Sequence, residues 1–100
     1  MAAIDAKPKD LETVRAVLRR IVPEVEVRVF GSRVRGTARP VSDLDLAIMT
    51  DRPLPLETTA SLREAFRDSD LPFKVDFVDW AATSEQFRAV IEREGVVLQP

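Results

Sequence analysis

The sequence contains no cysteine, no histidine and no tyrosine among its 100 residues. Without cysteine the chain has no disulfide framework and no thiolate chemistry. The lack of histidine excludes a zinc site built on imidazoles, a Ser-His-Asp triad and an imidazole base. Any acid–base chemistry must therefore come from carboxylates, lysine or solvent, and the chain cannot modify a tyrosine of its own.

Long apolar runs and a large excess of one charge are also missing. No segment approaches the roughly 18 apolar residues of a membrane span, and Asp5 near the N-terminus does not fit a signal peptide. We therefore expect a cytoplasmic protein without a membrane partner. The net charge of −2 argues against bulk binding of nucleic acid, because such binding depends on clustered lysine and arginine.

What is present is typical of one soluble globular domain spanning residues 1–100, with 45% hydrophobic and 32% charged residues. Residues 1–8 are interpreted as a flexible leader. Apolar residues at helical spacing then predict a helix from an N-cap at Asp10 to Pro23. Alternation with a period of two predicts a strand over Val25–Phe30.

The rest of the chain continues the alternation of strands and helices. We predict a strand opening at Ser42 and Asp43, a helix over Glu57–Arg67, a strand over Phe73–Trp80 and a last helix. A capping box of Thr83 and Gln86 would start that last helix, and 96–98 could form an edge strand, dock on the core or contact a partner. This order predicts an α/β fold, a small mixed β-sheet covered by helices.

Two carboxylates, Asp43 and Asp45, open the second strand. Residues two apart on a strand point to the same face, with Cα atoms roughly 6.6 Å apart. Both carboxylates would repel each other there, and a bound divalent cation would remove the repulsion. Mg²⁺ prefers oxygen ligands and is usually held by one or two carboxylates together with substrate phosphates.

The turn at Gly31 and Ser32 directly follows the first strand. Glycine allows the backbone to approach a ligand closely, and a helix starting there would direct its positive end at a phosphate. Alone, this dipeptide would be better interpreted as a plain turn at the end of a strand. If the first two strands are antiparallel, Gly31 and Ser32 meet the Asp43 and Asp45 pair in one cleft, which together predicts a metal–nucleotide site.

Asp76 lies inside the apolar strand over Phe73–Trp80. A charge in such a run is unfavourable unless it is paired or bound to a metal, so Asp76 is a candidate third carboxylate, with a salt bridge to Lys74 as the alternative. Asp79, on the opposite face, is expected to hydrogen-bond to a loop or helix start. For Arg33 and Arg35 three roles stay open: steadying a triphosphate, gripping the acceptor, or solvating the loop.

The segment Gly31-Ser32, ten residues, then Asp43-Leu44-Asp45 resembles the signature of the polymerase β superfamily of nucleotidyltransferases. With the stretch 71–79, nearly the whole chain resembles the small prokaryotic branch, the minimal nucleotidyltransferases (MNT). The resemblance implies a polymerase β-like palm. It also implies a nucleotide site that includes Gly31, Ser32, Arg33, Ser42, Asp43 and Asp45.

The resemblance further implies a Mg²⁺-dependent transfer of AMP from ATP. Asp43 and Asp45 would hold the nucleotide-bound Mg²⁺, and Asp76 would complete a site for a second ion. Ser32 and the backbone at Gly31 would hold the β and γ phosphates. An acceptor hydroxyl would attack the α phosphorus, with Asp76 as its base or metal-linked activator.

A chain of this size has no evident lobe for binding the acceptor, so we expect a partner and a hetero-oligomer. The resemblance implies a small helical partner. This partner would be a HEPN-type toxin that receives AMP on a tyrosine, which makes this chain an antitoxin. Alternatively, it would be a four-helix substrate-binding protein that holds a small-molecule acceptor. A third hypothesis is an antitoxin that masks its partner without catalysis.

Overall fold

The computed structural model describes residues 3–100. Over this range the chain alternates helices and strands, as predicted. The elements are α1 (Pro8–Ile21), β1 (Val27–Phe30), α2 (Ser32–Arg35), β2 (Leu44–Ile48), α3 (Leu56–Arg67), β3 (Val75–Asp79), a short 3-10 turn (Trp80–Ala82), α4 (Glu85–Glu94) and β4 (Val96–Gln99).

The four strands described form one mixed sheet in the order β3-β2-β1-β4. Strand β2 runs antiparallel to β1, whereas β2 and β3 are parallel. The end of β1 therefore lies beside the start of β2, where Phe30 pairs with Asp45. The parallel neighbour places Asp76 opposite Asp45 at the same level of the sheet. The predicted mixed sheet is confirmed.

Helices cover both faces of the sheet. On one face, α1 and α3 pack over the largest core cluster, and Leu44, Leu46 and Ile48 of β2 point into it without exposure to solvent. On the other face, α4 packs over a smaller cluster in which Ala47 and Ile91 are buried. Because side chains alternate along a strand, Asp45 points to the α4 face.

Several predicted helix and strand starts were wrong by a few residues. Helix α1 begins at Pro8, with Lys7 at the N-cap position, since proline suits the first helical turn, where its missing N–H leaves no hydrogen bond unmade. Asp10 is therefore buried inside the first turn and is not the cap. The cap of α4 is Ser84, whose Oγ accepts from the N–H of Phe87.

Two further contacts differ from the predictions. Thr83, predicted as the cap, instead donates its hydroxyl to the carbonyl of Asp79. In the predicted leader, the N–H of Asp5 donates to the carbonyl of Arg33 over 2.7 Å, so this part of the leader is anchored to the loop after β1. Met1 and Ala2 lie outside the described residues.

Within residues 3–100, no helix has the length and apolar character needed to cross a membrane.

Candidate active site

The three predicted carboxylates lie at one end of β2 and β3. Asp45 and Asp76 are paired across these parallel strands. Asp43 directly precedes β2, and the N–H of Leu44 donates to the carbonyl of Lys74 over 2.9 Å, which ties the start of β2 to the start of β3. The sheet register therefore brings together acids that are about 30 residues apart in sequence.

The electrostatics of these acids reflect their proximity. A side-chain hydrogen bond with Asp76 raises the pKa of Asp43, and burial and the charge of Asp76 raise it further. Burial raises the pKa of Asp45, and the charges of Asp76 and Asp43 act in the same direction. Each ionised carboxylate therefore destabilises its neighbours, which is the condition that a bound cation relieves.

Gly31 brings the backbone against this acidic group. Its φ of 85° and ψ of −156° lie in a region that essentially only glycine occupies. A Cβ added at this position would overlap the Oδ2 atom of Asp45. The turn therefore requires glycine for two separate reasons, its dihedral angles and the space beside Asp45. Ser32 follows directly as the first residue of α2.

The N–H of Gly31 has a partner that sequence reasoning missed. It donates to Oε1 of Glu94 over 3.0 Å, and the same oxygen accepts from Nη1 of Arg35, also over 3.0 Å. The Glu94 side chain is 15% exposed and that of Arg35 is 52% exposed. Glu94 is the last residue of α4, and no local motif in the sequence marks it, because only the packing of α4 across the sheet brings it to Gly31.

A cavity of about 520 Å³ contains most of these groups. Its polar lining comes from Gly31, Arg35, Asp45, Asp76 and Glu94, and its apolar wall is formed by Phe30, Phe77, Val78, Phe87 and Val90. Pockets of about 300–1,000 Å³ with an apolar wall and a few polar groups are typical ligand sites. The cavity is therefore the candidate active site.

Arg33 does not line this cavity, in contrast to the predicted nucleotide contact. Its side chain is buried and donates to the backbone carbonyls of Asp5, Arg39, Pro40 and Ser42. Its guanidinium also lies 4.3 Å from the centre of the Phe73 ring. With its donors directed at carbonyls, Arg33 fixes the loop that leads to Asp43.

Ser42, also predicted to bind the nucleotide, has a similar place in the loop. Its Oγ accepts from the N–H of Arg39 over 2.8 Å, and its carbonyl is one of the acceptors of Arg33. Of the two arginines that the sequence left undecided, the structure brings Arg35 to the cavity and directs the side chain of Arg33, from α2, at the loop before Asp43.

Asp79 has the loop contacts that the sequence predicted, and Asp76 also has the ion pair with Lys74 that the sequence left as an alternative. Asp79 accepts hydrogen bonds from the hydroxyl of Thr50 and from the N–H of Leu54, so it anchors the loop after β2. Lys74 lies 3.4 Å from Asp76, but both side chains are well exposed, and such surface pairs contribute little, about 0–1 kcal/mol. This ion pair is therefore compatible with a role of Asp76 in the cavity.

The donor set of the cavity fits a hard divalent cation. Among residues 3–100, no three ligating side chains lie close enough to form a complete metal cage. Mg²⁺ does not need one, because it commonly takes one or two protein carboxylates and completes its shell with water and substrate phosphates. The neighbouring carboxylates of Asp45 and Asp76, with Asp43 beside them, match that requirement.

Comparisons with known proteins identify the relatives of this chain. The family model described as Polymerase beta, Nucleotidyltransferase matches residues 12–99. A probable protein adenylyltransferase, MntA, from Haemophilus influenzae is 48% identical over 98 residues, which cover 98% of this chain and 86% of the relative.

Solved structures share the fold. A crystal structure of a toxin–antitoxin with AMP-PNP is 26% identical, with a TM-score of 0.69, covering 89% of this chain and 72% of that one. A structure of a tri-AMPylated HEPN toxin from Shewanella oneidensis in complex with its MNT antitoxin is 23% identical, with a TM-score of 0.64, covering 90% and 69%. The second likeness shows the fold alone.

Proposed function

Because the chain belongs to the polymerase beta nucleotidyltransferase family, we propose that it transfers AMP from ATP to a tyrosine hydroxyl of a HEPN-type toxin and thereby acts as an antitoxin. The observation that carries this proposal is the meeting of Gly31, Asp45 and Asp76 at one cavity. The relative at 48% identity is named a probable protein adenylyltransferase, which supports this reaction over other nucleotidyl transfers.

The chain's own groups define the chemistry. Asp43 and Asp45 would hold Mg²⁺, with Asp76 completing the site for a second ion, and the bound ions would supply stabilisation of the charge that develops on the triphosphate. Ser32 and the backbone at Gly31 bind the β and γ phosphates, and Arg35 lies beside them. The apolar wall that includes Phe30 and Phe87 borders this polar group.

The transfer itself forms one bond and breaks one. The tyrosine oxygen attacks the α phosphorus, the bond from that phosphorus to the oxygen bridging to the β phosphate breaks, and pyrophosphate leaves. The proton of the tyrosine passes to the carboxylate of Asp76, which is half exposed and thus accessible to a partner protein. With no histidine in the chain, the base must be a carboxylate, a lysine or solvent, and Asp76 is a carboxylate that lines the cavity.

Intact-mass spectrometry of the toxin encoded next to this chain tests the proposal. After incubation with this chain, ATP and Mg²⁺, the toxin mass should increase by one AMP or a small multiple. Asp43→Asn and Asp45→Asn should abolish the increase while both variants still fold. Asp70→Asn, which removes an exposed loop carboxylate, is the matched control and should retain it.

Two outcomes would contradict the proposal. Transfer retained by both active-site variants would show that the carboxylates are not required. An unchanged toxin mass, with the two proteins still bound to each other, would point to a small-molecule acceptor or to masking without catalysis.

A further inference from the structure

The contact between Glu94 and Gly31 places a carboxylate where the proposed function needs a phosphate. We propose that Glu94 competes with a phosphate of ATP for the N–H of Gly31 and is displaced when ATP binds, so that it sets the affinity for the nucleotide. This inference rests on the proposed nucleotide binding at Gly31. It makes Glu94 a positioning residue that competes with the substrate for the same donors.

The hydrogen-bond geometry supports the competition. A single backbone N–H, that of Gly31, donates to Oε1 of Glu94 over 3.0 Å. A carboxylate oxygen and a phosphate oxygen are both anionic acceptors for such a donor. Because the N–H has one hydrogen, a phosphate oxygen takes the full bond only after Glu94 leaves.

Arg35 would change partners in the same step. Its Nη1 lies 3.0 Å from the same Glu94 oxygen, and its side chain is half exposed, so it is free to follow a ligand in the cavity. Arginine binds phosphate and carboxylate with the same planar fork of donors. Arg35 would therefore exchange Glu94 for the triphosphate and remain paired throughout.

Charge in the cavity favours departure of Glu94 once the nucleotide arrives. Glu94 lines the cavity together with Asp45 and Asp76, so three carboxylates surround one space. A triphosphate entering this space would be repelled by a carboxylate that stays at Gly31. Departure of the Glu94 side chain from Gly31 would remove that repulsion.

Isothermal titration with AMP-PNP and Mg²⁺ tests the inference on the full chain. Glu94→Ala should tighten binding by roughly tenfold, since it removes a charge-assisted competitor for Gly31 and Arg35. Glu94→Gln should tighten it less, because its neutral amide oxygen still accepts from Gly31. Arg35→Ala should weaken binding. The matched control is Glu92→Ala, an exposed glutamate on the same helix, which should change the affinity less than about twofold.

Nuclear magnetic resonance provides a readout that a loss of packing would not reproduce. The chain has 3 glycines, so labelling with ¹⁵N-glycine gives three backbone signals. Glu94→Ala should shift the signal of Gly31 in the free protein and leave that of Gly36 in place. Adding AMP-PNP to the wild-type protein should also move the Gly31 signal.

The outcomes separate this inference from the proposed function. If the wild type binds AMP-PNP and Glu94→Ala binds it equally or more weakly, the displacement of Glu94 is refuted while nucleotide binding stands. Equal gains for Glu94→Ala and Glu94→Gln would also overturn it, because charge alone would then explain the effect. If neither the wild type nor Glu94→Ala binds AMP-PNP, both proposals fail; binding only by Glu94→Ala would support the displacement.

Discussion

Substitution of Gly31 by alanine should destabilise the protein far more than the same substitution at Gly36. At Gly31, the glycine-only dihedral angles cost an alanine about 1–3 kcal/mol. The overlap of the new Cβ with the Asp45 carboxylate adds a packing cost of about 1–3 kcal/mol. Reduced freedom of the unfolded chain offsets about 0.4–1 kcal/mol. We expect a net loss of about 1–5 kcal/mol.

Gly36 is the internal control because only one of these costs applies there. Its φ is 79° and its ψ is 19°, the left-handed helical region, which costs an alanine about 1–2 kcal/mol. A Cβ at Gly36 meets no atom within 4 Å. After the same unfolded-state offset, Gly36→Ala should cost about 1 kcal/mol or less.

Urea unfolding monitored by circular dichroism measures both variants, and a double-mutant cycle separates the two costs at Gly31. Asp45→Ala removes the atom with which the Cβ overlaps. In the double variant of Gly31 and Asp45, the coupling should therefore recover about 1–3 kcal/mol, leaving the dihedral cost. The reasoning is refuted if Gly31→Ala costs no more than Gly36→Ala, or if Asp45→Ala recovers none of the loss.

Three further predictions concern the acids, the buried arginine and the core. Asp45→Asn should raise the thermal midpoint of the metal-free protein at pH 8 by roughly 4–8 °C, equivalent to about 1 kcal/mol of relieved repulsion. The folded-state pKa of Asp45 is raised, so its destabilising charge is lost as the pH falls through that pKa. Calorimetry should therefore show that the stability advantage of Asp45→Asn shrinks on acidification. A lower thermal midpoint for the variant at pH 8 would contradict this prediction. Arg33→Lys should lower the free energy of unfolding in urea by about 2 kcal/mol, since lysine cannot bond the same carbonyls. The same variant should change the affinity for AMP-PNP, measured by titration, less than twofold. A folded variant that no longer binds AMP-PNP would restore Arg33 as a nucleotide ligand. Leu18→Ala in the fully buried face of α1 should cost about 2–5 kcal/mol in the same unfolding assay, and a cost below 1 kcal/mol would show that this face is not core.

The placement of Gly31 beside Asp45 could be predicted because it depends on the period of two along a strand and on the pairing of consecutive strands. A period of two along β2 puts Asp43 and Asp45 on one face, and it separates them from the buried Leu44 and Leu46. The antiparallel pairing of β1 with β2 then brings Gly31 to Asp45. Each step uses neighbours in sequence or in register, so the sequence carries the information.

Residues that depend on the packing of distant segments could not be predicted. Glu94 reaches Gly31 only because α4 packs on the sheet beside β1, and the run Glu92-Arg93-Glu94 carries no sign of which acid points inward. Arg33 was assigned to the nucleotide because arginine suits phosphate, but the loop before Asp43 turns its carbonyls towards it. Loop carbonyls leave no pattern in the sequence.

The predicted N-cap residues of two helices were wrong for a related reason. Thr83 and Ser84 are adjacent residues with similar capping ability, and the choice between them depends on the carbonyl of Asp79, which takes the Thr83 hydroxyl. Likewise, Asp10 is a good cap by type, but Pro8 starts the helix earlier. In both cases a neighbouring contact decides between residues that the local sequence does not distinguish.

The pairing of β1 with β4 has a consequence during synthesis. The two strands are separated by about 70 residues in the chain, although they lie side by side in the sheet. At a translation rate of about 5–20 residues per second, β1 leaves the ribosome several seconds before its neighbour exists. During that interval one edge of β1 presents unpaired backbone groups, a surface prone to pairing with other chains. The nascent protein therefore depends on β4 to cover that edge of β1 before a strand of a second nascent copy does so.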